Sequence, residues 1–233
     1  MSQMKNALTE GLETLSLSLS PAQVDTLCAF GEEMLEQNKV MNLTAITDPA
    51  QVARLHLLDS LTLLTVADLS GKRLIDVGCG AGFPGVPVKI ACPGAQLTLL
   101  DSLGKRMAWL ERTLPPLGVE ATCLTARAED AVASCREQYD FATSRAVARL
   151  NILLELTAPY VKVGGQVLAM KGAAAQEELS EAKTAINKLG LRLNRVTEFP
   201  IEGTCHTVLV FDKIKPTPTQ YPRRYAKIKQ SPL

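Results

Sequence analysis

Hydrophobic residues recur along this chain with two different spacings, which divide it into two parts. In residues 1–70 apolar side chains recur every three or four positions, as in the segment 24–35, and this spacing is typical of amphipathic helices. Ser20 followed by Pro21 indicates where that helix begins. Over residues 71–213 short unbroken apolar runs alternate with helical patterns. The pattern predicts a helical N-terminal region followed by a doubly wound α/β domain.

Seven short apolar runs predict the strands of the α/β domain. They are residues 73–77, 96–101, 119–125, 139–144, 165–170, 191–199 and 206–212. Helical patterns separate the first five runs, which indicates parallel strands joined by crossover helices. The last two runs are too close together for a crossover, so they must pair antiparallel. The sequence therefore predicts a mostly parallel, seven-stranded sheet that ends in an antiparallel hairpin.

A glycine-rich turn follows the first predicted strand, with Gly78, Gly80 and Gly82 at alternate positions after Asp76. Glycines let the chain bend sharply and let a bulky ligand approach the main chain. The spacing from Gly80 to Gly85 satisfies the dinucleotide fingerprint, whereas an acid followed by alternating glycines resembles the loop of S-adenosylmethionine (SAM) methyltransferases. A carboxylate repels pyrophosphate, so Asp76 favours the amino-bearing SAM over NAD. The antiparallel hairpin also favours a methyltransferase sheet over a dehydrogenase sheet.

Charged residues follow several of the predicted strands, at the edge of the sheet where doubly wound proteins bind ligands. Asp101 ends the second strand, where an acid reaches ribose hydroxyls, although it is also placed to cap the next helix. Glu129 follows the third strand, where it either reads an adenine amino group or caps a helix. Arg145 and Lys171 end two buried strands, and both are candidates for positioning anionic RNA. His56 lies on an amphipathic helix and is interpreted as a packing residue rather than a base.

Composition narrows the class of protein further. The 233 residues are 46% hydrophobic, which is enough for a well-buried core. The sequence contains neither an N-terminal leader nor the roughly 20 consecutive apolar residues that span a bilayer, so we expect a cytoplasmic protein without a membrane anchor. Its six cysteines include no Cys-x-x-Cys pair, which predicts reduced thiols rather than a metal site or a disulfide framework.

The C-terminal residues 214–233, called the tail below, differ from the rest of the chain in charge. They carry five basic residues and no acid, so the tail has a formal charge of +5 and the remainder has −4. One interpretation is a phosphate-binding arm, and Tyr221 and Tyr225 among the basic residues favour RNA. The other interpretation is a solvated terminus. As an arm, the tail is expected to add RNA affinity and to leave cofactor binding unchanged.

Two common methyltransferase arrangements are missing from the sequence. No Asn/Asp-Pro-Pro-Tyr follows the fourth strand, so the usual arrangement for methylating an exocyclic amine is missing. Cys92 with Pro93 resembles a cytosine-methylating nucleophile, but it lies at the far end of the helix that follows the glycine turn. Without a base or a nucleophile, the acceptor should already carry a free lone pair, as nitrogen 7 of guanine does. Catalysis would then depend on in-line positioning and on the field around the sulfonium.

Together these motifs resemble the RsmG/GidB family of 16S ribosomal RNA guanine-N(7)-methyltransferases, over nearly the whole chain. The matching segments are Asn42-Leu-Thr44, Asp48-Pro49, His56-Leu-Leu-Asp-Ser60, Asp76-Val-Gly-Cys-Gly-Ala-Gly-Phe-Pro-Gly85, Leu99-Leu-Asp-Ser-Leu103, Lys105-Arg106, Arg127-Ala-Glu129, Ser144-Arg-Ala146 and Lys171-Gly172. The tail is similar to the ending of longer family members. Cys79 stands where Ser or Thr is usual, and Ala126 where Gly often precedes the arginine, and neither change threatens cofactor binding.

The resemblance implies the activity, the cofactor and the residues that bind it. It implies methyl transfer from SAM to nitrogen 7 of a guanine in small-subunit ribosomal RNA, within a ribosomal particle. The residues implied to contact SAM are Gly78, Phe83, Asp101, Ala128, Glu129 and Arg145. The resemblance assigns no catalytic residue, so Arg145 and Lys171 remain candidates for RNA positioning. An NAD(P)-dependent oxidoreductase with a Rossmann loop and a non-catalytic RNA-binding protein remain the alternatives.

Overall fold

The computed structural model describes residues 2–233, and its N-terminal part is helical, as predicted. The helices of this part are α1 (Gln3–Thr14), α2 (Pro21–Met41), α3 (Pro49–Val52), a π-helical segment (Ala53–Leu58), α4 (Asp59–Leu61) and α5 (Leu63–Val66). Helix α2 begins where the sequence predicts because Ser20 and Gln23 each accept the other's main-chain N–H through their side chains. Asp48 caps α3 by accepting the N–H of Gln51.

The α/β domain contains seven strands in one sheet. They are β1 (Arg73–Val77), β2 (Gln96–Asp101), β3 (Thr122–Thr125), β4 (Tyr139–Arg145), β5 (Val161–Lys171), β6 (Leu191–Ile201) and β7 (Thr204–Lys213). The strand order is β3-β2-β1-β4-β5-β7-β6, in which β1 to β5 run parallel and β7 is antiparallel to both of its neighbours. This confirms the predicted doubly wound, mostly parallel sheet with a terminal antiparallel hairpin.

Helices follow most strands of the sheet, and one more lies in the tail. They are α6 (Gly85–Ala91), α7 (Gly104–Thr113), α8 (Ala128–Cys135), α9 (Leu150–Thr157), α10 (Ala175–Glu181), α11 (Lys183–Lys188) and α12 (Tyr225–Gln230). Across residues 2–233, no helix combines the length and the apolar character that a membrane crossing needs.

Three strands begin at residues other than those predicted, and the smallest difference is in β7, which begins at Thr204 and not at residue 206. Strand β3 begins at Thr122 and not at residue 119, because the N–H of Val119 bonds to the carbonyl of Leu114 in the preceding turn. Val119 is nevertheless buried, so its apolar character reflects the core and not the strand ladder. Strand β5 begins at Val161 and not at residue 165, because its first residues pair with Tyr139 across an irregularity in the register of β4.

Apolar side chains cover both faces of the sheet. In β1, Leu74 and Ile75 belong to different clusters of the core, as alternation along a strand requires, and both are completely buried. The cluster around Leu74 includes Leu27 and Phe30 of α2, whereas the cluster around Ile75 includes Leu153 of α9. The N-terminal helices are therefore held by the same core that supports one face of the sheet.

The tail folds back onto the domain. Tyr221 and Ile228 are buried, with 7% and 0% of their surfaces exposed. The guanidinium of Arg223 pairs with the carboxylate of Glu155 in α9, and the Glu155 side chain is completely enclosed. This burial excludes the solvated-terminus interpretation of the tail.

Candidate cofactor site

A cavity of about 610 Å³ lies at the carboxyl ends of β1, β2 and β4, around the glycine-rich turn. A doubly wound sheet places its ligand at this edge, and the volume suits a molecule of cofactor size. The residues that the family resemblance assigns to SAM all line it, namely Gly78, Phe83, Asp101, Ala128, Glu129 and Arg145. Three further parts of the chain reach this cavity, at Thr44 after α2, at His56 and at Tyr225 of the tail.

The glycines of the turn adopt backbone conformations that side chains disfavour. The φ angles of Gly78, Gly80 and Gly82 are +74°, +57° and +90°. A Cβ on Gly78 would lie 2.5 Å from Cγ2 of Val147, so a side chain there would disturb the cavity wall before it met a ligand. A Cβ on Gly80 would meet no described atom closer than Nη1 of Arg106, at 3.8 Å. Gly80 therefore leaves the main chain open to the cavity.

Asp76 does not meet the ligand in the way that the sequence suggested, since it is not part of the cavity lining among the described residues. Its side chain is completely buried, and Oδ2 accepts the N–H of Gly85 at 2.8 Å, at the start of α6. Burial raises the pKa of this carboxyl to about 7, against the opposing effect of the Gly85 hydrogen bond. Asp76 thus ties the end of β1 to the first turn of α6, behind the glycine turn. The preference for SAM over NAD cannot rest on this carboxylate.

Asp101 lies at the end of β2 and lines the cavity, where 8% of its surface is exposed. Its Oδ2 accepts the N–H of Gly80 at 2.9 Å, and its Oδ1 accepts the N–H of Leu103 at 2.8 Å. The carboxylate therefore holds the glycine turn against the segment that leads into α7, as in an Asx turn. A carboxylate oxygen accepts more than one hydrogen bond, so turn formation and ribose binding are compatible roles for Asp101.

Stacked side chains form one wall of the cavity. The ring of Phe83 lies 4.9 Å from the ring of His56 and 5.1 Å from the guanidinium carbon of Arg145. The guanidinium donates to Oδ2 of Asp59 at 2.8 Å and to Nδ1 of His56 at 3.2 Å. Because Nδ1 accepts, Nε2 carries the proton and donates to Oγ1 of Thr44 at 2.8 Å. Arg145 belongs to the sheet but is fixed by the N-terminal helical region.

The groups in this cavity that most resemble a base or a nucleophile are a weakly basic imidazole and a protonated thiol. Burial and the neighbouring charge of Arg145 lower the pKa of His56 from 6.5 to about 4. His56 is therefore uncharged at neutral pH and is held by hydrogen bonds on both nitrogens. Burial raises the pKa of the Cys79 thiol in the glycine turn, so that thiol stays protonated.

A second cavity, of about 570 Å³, adjoins the first and shares His56 and residues 145–147 with it. Asp59 and His206 also line it, and Oδ1 of Asp59 lies 2.8 Å from Nδ1 of His206. Burial alone would raise the pKa of Asp59, but the bonds to His206 and Arg145 hold it below its ordinary value. The boundary between the two cavities therefore carries an arginine beside an ionised carboxylate.

Lys171 lines the second cavity, but it is not the free cation that the sequence suggested. Its Nζ donates to Oε2 of Glu178 at 2.7 Å and to the carbonyl of Ala148 at 2.5 Å, and 7% of its side chain is exposed. An ammonium group buried to this extent requires such partners. Lys171 therefore fixes the segment after β4 beside the cavity, and its charge is already neutralised by a carboxylate.

Glu129 and Tyr225 meet at the edge of the first cavity, where Oε1 of Glu129 accepts the N–H of Tyr225 at 3.3 Å. The capping role considered for Glu129 is thus present, although the helix involved is α12 of the tail and not the helix that carries Glu129. The position of Tyr225 at the cavity is not predictable from the sequence, because no local pattern connects the tail to the glycine turn. Thr44 was missed as a partner of His56 for the same reason.

Comparison with known proteins identifies one family. Residues 23–206 match the family model GidB, described as rRNA small subunit methyltransferase G. The chain is 43% identical to ribosomal RNA small subunit methyltransferase G of Alkaliphilus oremlandii, over 99% of both chains. It is 42% identical to the protein of the same name from Lactobacillus johnsonii, over 95% of this chain and 96% of that one.

Solved structures of low sequence identity share the fold. A SAM dependent methyltransferase from Aquifex aeolicus gives a TM-score of 0.55 at 18% identity, covering 78% of this chain and 97% of that one. TrmN from Thermus thermophilus gives 0.54 at 19% identity, covering 67% and 48%. TYW2 from M. jannaschii, in complex with AdoMet, gives 0.53 at 14% identity, covering 64% and 72%. At these identities the likeness shows the fold alone.

Proposed function

Because the chain belongs to the GidB family, rRNA small subunit methyltransferase G, we propose that it methylates nitrogen 7 of a guanine in small-subunit (16S) ribosomal RNA. Family and fold together identify a SAM-dependent methyltransferase, which displaces the oxidoreductase and the non-catalytic alternatives. The proposed substrate is RNA folded in a ribosomal particle, in the cytoplasm. We propose that the chain is organised as a helical region over 1–70, a cofactor-binding domain over 71–213 and a basic tail over 214–233.

The observation that carries the proposal is the single cavity onto which the residues assigned to SAM converge. When bound there, SAM supplies a methyl group activated by the positive charge on sulfur. Asp101 would accept hydrogen bonds from the ribose hydroxyls, and Ala128 and Glu129 would meet the adenine. Phe83 and Arg145 would form the wall beside the rest of the cofactor. Both acids are compatible with these roles, since each keeps lone pairs beyond the main-chain contacts described above.

The acceptor guanine is proposed to enter the second cavity, because this cavity meets the first along His56 and residues 145–147. Two cavities with a common wall can hold two reactants side by side, which is the main requirement of an in-line transfer. Arg145 borders both, so its guanidinium is placed to attract the oxygen of guanine or an RNA phosphate. Lys171 lines only the second cavity and is proposed to act by fixing the adjoining segment through Glu178 and the carbonyl of Ala148.

Transfer to nitrogen 7 requires no proton removal by the protein. The lone pair of this nitrogen forms the new bond to carbon while the carbon–sulfur bond breaks, and the base takes the positive charge. A pKa of about 4 makes His56 a weak base and Cys79 stays protonated, which is consistent with a site that lacks a general base. The ionised carboxylate of Asp59 faces the proposed guanine cavity, where it favours the positive charge that develops on the base.

The test is methyl transfer from labelled SAM to small ribosomal subunits reconstituted with unmodified 16S RNA or with RNA transcribed with 7-deazaguanosine. We expect incorporation into the first substrate and none into the second, because 7-deazaguanosine lacks the accepting lone pair. Incorporation into both would move the acceptor to a different atom. A melting temperature raised by NADH but not by SAM would overturn the methyltransferase assignment itself.

A further inference from the structure

The tail reaches the cofactor cavity at Tyr225, a half-buried residue that lines it. Tyr225 begins α12, and the chain arrives at it from the far end of β7 after crossing α9. The proposed function assigns no role to this residue. The contacts around it decide whether its position at the cavity is fixed.

A buried ion pair anchors the tail two residues before Tyr225. Nε and Nη2 of Arg223 donate to Oε1 and Oε2 of Glu155 at 2.8 Å and 2.6 Å, and the main-chain N–H of Arg223 donates to Oε1 at 2.9 Å. Glu155 is completely buried, and Ile228, on the other side of Tyr225, is completely buried as well. Moving Tyr225 away from the cavity would therefore break at least one of two anchors.

The wall beside Tyr225 is fixed too. Oε1 of Glu129 accepts the N–H of Tyr225, and the hydroxyl of Tyr160 donates to the carbonyl of Ala128 at 2.6 Å. Ala128 and Glu129 are the residues proposed to meet the adenine of SAM. Tyr225 therefore lines the cavity beside the two residues that are proposed to meet the adenine.

We propose that Tyr225 is part of the SAM site, where its ring packs against the adenosine end of the cofactor, so that the docked tail and the bound cofactor stabilise one another. The identity of the ligand in this inference rests on the proposed function. Aromatic rings pack favourably against any nucleobase, and the anchors hold the main chain of Tyr225 at the cavity before the ligand arrives. The inference replaces the expectation that the tail serves RNA alone and leaves cofactor binding unchanged.

Thermodynamic linkage requires that tail docking strengthens cofactor binding by the same factor by which the cofactor strengthens tail docking. If docking of the tail raises the affinity for the cofactor by a certain factor, saturating cofactor must lower the undocked fraction of the tail by the same factor. The chain offers a way to measure each side of this relation. Tyr225 can be changed without touching either anchor, and Lys227 and Lys229 are exposed sites at which trypsin cuts an undocked tail.

The experiment compares full-length native protein with Tyr225→Ala, Tyr225→Phe and the matched control Lys229→Ala, which changes an exposed residue of the same helix outside the cavity. Calorimetry measures binding of S-adenosylhomocysteine and of 5′-methylthioadenosine, which keeps the adenosine and lacks the amino acid. Tyr225→Ala should weaken both by about 5- to 150-fold, the range for losing one aromatic contact with a base. Tyr225→Phe keeps the ring and should stay near native, as should the control.

Limited trypsin digestion provides the second measurement. Saturating S-adenosylhomocysteine should slow cleavage of the tail in the native protein and in Tyr225→Phe, but not in Tyr225→Ala. If circular dichroism shows that Tyr225→Ala has not folded, the native protein alone decides, because cleavage unaffected by S-adenosylhomocysteine would overturn the inference.

Two further results would overturn it. One is native affinity for S-adenosylhomocysteine in a folded Tyr225→Ala protein. The other is a loss confined to S-adenosylhomocysteine with binding of 5′-methylthioadenosine unchanged, since the ring would then act at the amino-acid end. A native protein that binds neither of these molecules would instead contradict the proposed function, so the two failures are distinguishable.

Discussion

His56 should lower the free energy of unfolding by about 2 kcal/mol when the pH falls from 7 to 5, and His56→Gln should abolish this loss. In the folded protein burial and Arg145 hold the pKa of His56 near 4, against an ordinary value of 6.5. Below pH 6.5 the unfolded chain takes up a proton that the folded protein excludes. The stabilising contribution of neutral His56 is therefore complete above pH 6.5 and is lost as the pH falls towards 4. Partial exposure of the ring makes 2 kcal/mol an upper value.

Asp76 opposes this trend, and the experiment must separate the two. Its pKa is raised by burial from 3.8 to about 7 in the folded protein. The folded protein therefore takes up a proton that the unfolded chain excludes, so stability rises by about 2 kcal/mol as the pH falls from 7 to 5. These two contributions nearly cancel in the native protein. In Asp76→Asn the loss caused by His56 should appear unmasked.

Urea unfolding at pH 7 and pH 5 should be measured for the native protein, His56→Gln, Asp76→Asn and the double variant. We expect Asp76→Asn to lose about 2 kcal/mol on acidification and the double variant to lose much less. Gln is the appropriate replacement because its amide can still accept from Arg145 and donate to Thr44. Equal losses in Asp76→Asn and the double variant would show that His56 is protonated in the folded protein, which would refute the neutral imidazole beside Arg145.

Three further substitutions test individual contacts. Asp101→Ala should weaken SAM binding by about 1.5 to 3 kcal/mol in calorimetry with little change in the saturated rate, and native affinity would leave Asp101 only its turn role. Gly80→Val should weaken binding of S-adenosylhomocysteine, because its side chain enters the cavity and its φ of +57° disfavours a β-branched residue, and unchanged affinity would place the ligand elsewhere. Arg223→Ala should lower the free energy of unfolding by about 3 to 5 kcal/mol, because buried Glu155 loses its partner, whereas exposed Arg224→Ala should stay within about 0.5 kcal/mol. Equal effects of the two arginine changes would contradict the anchor.

Elements with a local cause were predictable from the sequence. Helix α2 begins at Pro21 because its capping residues lie within one turn of the chain. The first two strands are unbroken apolar runs, and the last two pair antiparallel because too few residues connect them. The beginning of β3 was not predictable, because the apolar character of Val119 serves the core while its N–H belongs to a turn.

In the candidate site, too, features with a local cause were predictable from the sequence and long-range contacts were not. Glycines and acids at strand ends were visible because the topology brings all such ends to one edge of the sheet. The network around Arg145 was not visible, since Asp59 lies 86 residues before Arg145 and 147 residues before His206. No local spacing encodes such partners. The burial of Asp76 was hidden for a related reason, because a carboxylate at a strand end can face the ligand or turn back to the next helix.

Net charge misled about the tail because it counts charges without their partners. The acid that matters, Glu155, lies 68 residues before Arg223 on a different helix. A completely buried carboxylate is destabilising by several kcal/mol unless it is paired. In the folded protein an arginine of the tail pairs with it, and this pairing places Tyr225 at the cavity. The basic residues that stay exposed for RNA are Lys215, Arg224, Lys227 and Lys229. Deleting the tail can therefore remove at most four phosphate contacts, which corresponds to a change of about 3 in the log–log slope of single-stranded RNA binding against salt.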